Sequence, residues 1–215
     1  MPKIKNGYSD IQKYLLLILN SIVSQFIEMF GDPVINPKGW RIERLQDICD
    51  NLDSRRVPIT SSERESGCIP YYGASGIVDY VKEYIFDETL LLVSEDGANL
   101  LARVTPIAFE VRGKSWINNH AHVLRFTNYS LQKYVEYVIN LQDISAYITG
   151  SAQPKLNQAK LNKFSIPMPP VNVLDEFATF VQQVDKLKFG MEQSLKELEA
   201  NFDSLMQRAF KGELF

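Results

Sequence analysis

The last forty-five residues constrain the chain most tightly. Past Pro167-Met168-Pro169-Pro170, apolar residues fall at Phe177, Val181, Val184, Leu187, Met191, Leu195, Leu198, Phe202, Leu205 and Ala209. Their spacing alternates threes and fours, with a single irregular three, and so marks a heptad seam on one helical face. A helix of about 40 residues is ~60 Å long at 1.5 Å per residue. A small globule needs no such rod for its own core, so the segment reads as a spacer or an assembly surface. Its seam runs through Val184, Met191, Leu195, Leu198, Phe202 and Leu205. A long surface helix without a partner is the bland alternative.

The N-terminus repeats the pattern. Ile11, Leu15, Ile18, Ile22, Phe26 and Met29 line one face of a predicted helix, Ser9 or Asp10 can cap it, and Gly31-Asp32-Pro33 stops it. A shift of 180 residues lays this helix on the end of the C-terminal one: Ile18 meets Leu198, Ile22 meets Phe202, Ser24 meets Ser204 and Phe30 meets Phe210. Matching apolar phase alone arises by chance; the coincident serines and phenylalanines near two helix stops favour a repeat. Ile18 and Ile22 thus join the seam.

Between the helices the period changes. Short β-branched and aromatic runs alternate with Gly, Asn, Ser and Asp breaks, as in Ile69–Tyr72, Ile77–Val81, Leu90–Val93, Val104–Val111 and His122–Phe126. Leu131–Leu141 is more helix-like. The expected architecture is α+β: a mixed α/β globule over 38–170, flanked by long amphipathic coiled-coil-type helices in 1–37 and 171–215.

Composition limits the function. The chain has 215 residues, 45% apolar and 23% charged, with Lys+Arg 23 against Asp+Glu 26 and a net charge of −3. That is globular, and it excludes an autonomous binder held to a polyanion by bulk charge. Cys49 and Cys68 make no disulfide framework. No run approaches the ~18 apolar residues of a membrane span, and no signal peptide is evident, so a soluble, cytoplasmic protein is expected. Charge is also uneven. Residues 151–170 hold Lys155, Lys160 and Lys163 and no acid, whereas acids outnumber bases after 171.

Catalytic signatures are missing. There is no Asp-x-Lys or Glu-x-Lys triplet and no Gly-x-Gly-x-x-Gly or Gly-x-x-x-x-Gly-Lys loop. Met168, not Asn or Asp, precedes Pro169-Pro170. The two histidines, His120 and His122, would share a face on a strand and with Glu95 or Asp96 form a metal set; buried and surface polar roles are the commoner outcome. A triad through Ser94 lacks the Gly-x-Ser-x-Gly elbow. No catalytic, cofactor or metal site is therefore assigned.

The polar loops carry more. Tyr71-Tyr72-Gly73-Ala74-Ser75-Gly76, Ser94-Glu95-Asp96-Gly97-Ala98-Asn99, Asn118-Asn119-His120 and Gly150-Ser151-Ala152-Gln153-Pro154-Lys155 set hydrogen-bonding side chains on turns. Asn, Gln, Ser, His and Arg read base edges, while Lys and backbone N–H groups hold phosphates. Ordinary turn chemistry accounts for any one such loop taken alone.

As a set, these residues resemble the specificity (S) subunit of type I restriction-modification enzymes. The resemblance lies in the Tyr71–Gly76 and Leu91–Leu100 loops, in Asn119-His120-Ala121-His122-Val123-Leu124-Arg125, in Gly150–Leu156 and in Ile166-Pro167-Met168-Pro169-Pro170. The helix ends Met29-Phe30-Gly31-Asp32-Pro33 and Ala209-Phe210-Lys211-Gly212-Glu213-Leu214 complete it. It spans nearly the whole chain in order. Asn172-Val173-Leu174-Asp175 departs from it, because the family usually places a glutamine there.

The resemblance implies a target recognition domain on spacer helices. It implies a non-catalytic subunit reading one half of a bipartite double-stranded DNA target. Family subunits usually carry two such domains, and this chain has one. The implied partners are modification subunits, which use S-adenosylmethionine, and a restriction subunit, which uses ATP; self-association through the helices would supply a second domain. Residue type and loop position nominate Arg55, Arg56, Lys155 and Lys160 for phosphates, and Ser75, Asn118, Asn119, His120 and Gln153 for bases. The competing reading is a helical adaptor that binds protein and has no DNA role.

Overall fold

The computed structural model describes residues 17, 18, 20–150 and 152–211. The candidate cap at Ser9 or Asp10, the apolar positions Ile11 and Leu15, Ser151 and the Gly212–Leu214 ending lie outside them. Two compact units emerge, one made of 1–28 with 176–215, the other of 29–175.

The larger unit is built on antiparallel pairing. Its strands are β1 (Ile42–Arg44), β2 (Asp50–Asn51), β3 (Ser66–Gly73), β4 (Gly76–Val81), β5 (Phe86–Asp87), β6 (Leu90–Ser94), β7 (Ala108–Val111), β8 (Lys114–Ile117), β9 (Ala121–Arg125) and β10 (Ser165–Pro167). One sheet runs β2-β9-β6-β7, a second β4-β3-β8-β5, and β1 pairs with β10. Among the described strands only β3 and β8 pair in parallel, Tyr71 opposite Trp116. β6 is buried along its whole length, as its unbroken apolar run requires of a central strand. Phe86, Leu90, Leu92, Val111, Ile117, Ala121 and Val123 form a core that draws on both sheets, each large side chain contributing roughly 1.5–3 kcal/mol by leaving water.

Val104–Val111 is the strand expectation that shortens most; His122–Phe126 loses only its last residue, since β9 ends at Arg125. Only Ala108–Val111 pairs. Val104 is 84% exposed, and Asn99 brackets Thr105 through both its amide groups. Pro106 offers no N–H for a ladder, so the chain turns before it can pair.

Helices fill the gaps. Short α2 (Leu45–Ile48), α3 (Asn99–Ala102) and α5 (Gln158–Leu161) are single turns, while α4 (Tyr129–Leu141) covers β7. Asn128 caps α4, its side chain accepting from Leu131 N at 2.8 Å. At the other end Arg103 donates to the carbonyls of Ile139 at 3.2 Å and Gln142 at 3.0 Å, a cation where the dipole favours one.

The smaller unit is helical. Residues 20–30, here α1, are helical up to Phe30, and α6 runs from Val171 to Phe210. The two helices stop 180 residues apart, the shift that aligned them in sequence. Ile22, Phe26, Phe177, Ala178, Val181 and Val184 are buried. The Phe26 and Phe177 rings meet edge to face at 5.5 Å and 76°, the geometry aromatic quadrupoles prefer. Further along, Leu187, Leu198 and Leu205 are more than half exposed, Met191 and Phe202 less so; Ile18 and Leu195 are half-buried. Among the described helices none is long and apolar enough to cross a membrane.

Candidate nucleic-acid interface

The ends of β3, β6 and β9 deliver three of the four polar loops to one place, and hydrogen bonds tie in the fourth. The hydroxyl of Ser94 donates to the Ala74 carbonyl. Asn118 N donates to Tyr72 O at 3.1 Å, Glu95 N to His120 O at 2.9 Å, Gly97 N to Pro154 O at 3.0 Å and Leu156 N to Glu95 O at 2.8 Å. Thr149 and Lys155 exchange backbone bonds of 2.8 Å in both directions, closing the 150–154 loop. The chain passes close at Gly73: a Cβ there would stand 3.0 Å from the Val78 side chain and 3.5 Å from the Asn118 amide.

Beneath these loops lies a network of ions. The Arg56 guanidinium bonds the Glu95 carboxylate at 2.6 Å and the Ala121 carbonyl at 2.8 Å, and pairs with Asp53 at 3.5 Å. Lys155 Nζ meets the other Glu95 oxygen at 3.1 Å. Asp53 accepts from Val123 N at 2.8 Å through Oδ1, and its Oδ2 lies 2.6 Å from His122 Nδ1. His122 Nε2 faces the Leu156 carbonyl at 2.7 Å. A carbonyl only accepts, so Nε2 donates there.

Burial alone would raise the carboxyl pKa values, since charge is costly away from water. For Asp53, the bond and charge of His122, the Val123 amide and Arg56 outweigh it and hold the group below the ordinary carboxylate value. For Glu95 burial is likewise outweighed, by Arg56, His122 and Lys155. Both carboxyls are thus anions in the folded state. Asp53, Glu95 and His122 bring one donor atom each within 4.8 Å of one another, a spacing a metal can use. Arg56, Lys155 and two backbone groups already bond those atoms, so the donor set is committed to ion pairs.

Residues 37–200 match the family described as the type I restriction modification DNA specificity domain. The chain belongs to that family. Relatives include a Haemophilus influenzae protein named as a type I restriction enzyme specificity subunit, 33% identical over 143 residues that cover 66% of this chain and 37% of that protein. The MjaIX specificity subunit of Methanocaldococcus jannaschii is 23% identical over 83% of this chain and 45% of its own length. The chain therefore spans less than half of these relatives. In fold it is similar to the crystal structure of a type I restriction-modification S subunit from M. genitalium, with a TM-score of 0.60 at 14% identity over 94% of this chain and 57% of that one. It is also similar to the HsdS subunit from Thermoanaerobacter tengcongensis, with a TM-score of 0.50 at 16% identity over 99% and 56% of the two chains.

For a member of this family, the placement of the nominated residues is informative. Arg56 and Lys155 bond the Glu95 carboxylate and His120 O accepts from Glu95 N; Asn118 and Asn119 precede that histidine, and Gln153 lies on the loop that Thr149 and Lys155 close. Ser75 is exposed at the tip of the β3–β4 hairpin, next to the Ala74 carbonyl that Ser94 holds. Asn118 is buried and accepts from His120 N at 2.8 Å. Asn119 and Gln153 are exposed. His120 is exposed too, its Nδ1 2.8 Å from Asp96 Oδ2. Arg55 is turned elsewhere, bonding Glu88 at 3.3 Å and lying over the Phe86 ring at 4.5 Å. Lys160 sits exposed on α5, whose Gln158 is bonded to Asn51.

The two histidines do not share a metal set. His120 precedes β9 on an exposed turn with Asp96, while His122 is buried on β9 with Asp53. Sequence reasoning did not find Asp53 or the structural role of Glu95. Asp53 stands 69 positions from its histidine, and no local pattern carries a pairing at that separation.

Proposed function

We propose that the chain is a non-catalytic DNA reader, presenting the loops around Glu95 to one half of a bipartite target. The carrying observation is the convergence of four polar loops on one ionic network, with Asn119, His120, Gln153 and Lys155 exposed above it. Asn, Gln and His side chains suit base edges, and the lysine suits a phosphate. One such face reads few base pairs, so the reading calls for a second domain. The exposed stretch of α6, from Leu187 to Leu205, is the surface for pairing with a second helix or a modification subunit. A two-fold pair of chains would make the target palindromic. S-adenosylmethionine and ATP chemistry belong, on this reading, to modification and restriction subunits.

Supplying the chain to modification subunits and mapping methylated sites tests the reading. The expected result is a discrete set of methylated sequences that is absent without it. Methylation without sequence preference overturns it in favour of a protein-binding adaptor. Charged replacements L198E and F202E are expected to abolish self-association or subunit docking, read as a fall in mass by light scattering.

A further inference from the structure

Lys155 is an exposed cation in the candidate interface, yet its ammonium is already engaged. We propose that Glu95 is a positioning residue: it holds the Lys155 ammonium in place for a DNA phosphate and does not itself touch DNA. The inference rests on the DNA reading above and adds a role for a buried acid within it.

The two side chains differ in freedom. Glu95 is 12% exposed at its side chain and Lys155 51%. Glu95 cannot swing out with its partner, because Arg56 grips the other carboxylate oxygen at 2.6 Å. Its own backbone is bonded on both sides, to His120 and to Leu156. Arg56 is fixed in turn by Asp53 and by the Ala121 carbonyl. The anion is therefore a fixed point, set by three separate stretches of chain.

Lys155 is movable only at its tip. Its backbone is pinned to Thr149 in both directions. An ammonium has three donors. Glu95 takes one at 3.1 Å, and the remaining ones are open to a phosphate oxygen. A lysine on a flexible four-carbon stem normally loses its rotamer freedom on contact; here Glu95 removes that freedom beforehand. The alternative is that the carboxylate competes with phosphate for the lysine. Competition requires the lysine to leave Glu95 on binding, whereas an open donor geometry lets it keep both partners.

The test uses the chain assembled with its modification subunits and measures affinity for a duplex of unrelated sequence across salt concentrations. Each phosphate contact adds about 0.9 to the slope of log affinity against log salt. K155Q is expected to lower that slope by about 0.9, so that raising salt from 50 to 200 mM costs about three-fold less affinity. E95Q is expected to lower it equally, and the double variant E95Q/K155Q no further. E95D keeps the buried anion but draws both oxygens back by a methylene, from Lys155 and Arg56 alike; it is expected to lose the same slope, with any loss of fold read separately as a fall in melting temperature. Overturning results are an unchanged slope in both Glu95 variants, a steeper slope with tighter binding, or additive losses in the double variant. A purely structural role for Glu95 would lower the melting temperature and leave the slope alone, which also overturns the proposal. None of these touches the DNA reading itself. A wild-type complex that methylates without sequence preference would fail that reading instead.

Discussion

Two buried ionic clusters in the larger unit use the same chemistry to different ends. On β7 and α4, Lys133 is 7% exposed at its side chain and pairs with Glu110 at 2.9 Å and Glu136 at 2.8 Å. Arg112 joins Glu110 and lies over the Tyr129 ring at 5.4 Å. All its buried charges answer one another within a strand and the helix that covers it. The cluster around Glu95 is built from loops instead, and it ends in a half-exposed ammonium. In the first network the lysine is buried between its two carboxylates and Arg112 carries the charge out to solvent, whereas in the second the lysine itself is half-exposed among the polar loops. Burying ions is rarely a net gain in stability, so a buried acid that holds a surface lysine among polar loops is better explained by what it presents there.

The largest expected effect tests the closed side. K133M removes the cation that bridges two mostly buried carboxylates, and the loss of both ion pairs is expected to cost about 3 kcal/mol of stability, read by denaturant unfolding. The salt slope for DNA should not change. A shifted slope would show that the closed cluster also serves the interface and would erase the contrast.

Acid should loosen both clusters. Asp53, Glu95 and Glu110 all have folded-state pKa values below the ordinary carboxylate value. Their contribution is then fully present above the unfolded-state pKa, near ~4. It is lost as pH falls through the lower folded-state values. Unfolding measured between pH 6 and 2 should show stability falling only below about pH 4, with E110Q and E95Q each flattening that fall. A fall that begins above pH 5 would place its source outside these carboxylates.

The smallest effect belongs to the open end. K155Q removes a half-exposed partner, so its cost in stability should stay within about 1 kcal/mol while DNA binding changes. A loss comparable to that of K133M would make Lys155 a structural ion and merge the two clusters into one kind.

Much of the architecture was legible. The seam residues announce the helix from Val171 to Phe210, because a 3.6-residue period leaves a mark at every turn. The apolar run at 90–93 becomes the fully buried β6. The 180-residue shift is matched by the two helix stops. Asn118, His120 and Lys155 were nominated by residue type, and the loops that carry them do meet. Arg55 shows the limit: type and neighbourhood matched those of Arg56, yet one side chain lies over Phe86 and the other is bonded to Glu95. Arg55 ends a short helical turn and Arg56 follows it in extended conformation, and no sequence period fixes which side chain points where.

The sequence by itself determined the long helix from Val171 to Phe210, the strands β3, β4, β6 and β9, and the resemblance to the family, since each depends on spacing within a few residues. Tertiary structure alone decided which charges meet. Asp53 finds His122, Arg56 finds Glu95, and Glu95 finds Lys155 across separations of 69, 39 and 60 positions. Coulomb attraction and hydrogen bonding act over a few ångströms in space. Only the closing of the sheets sets those distances.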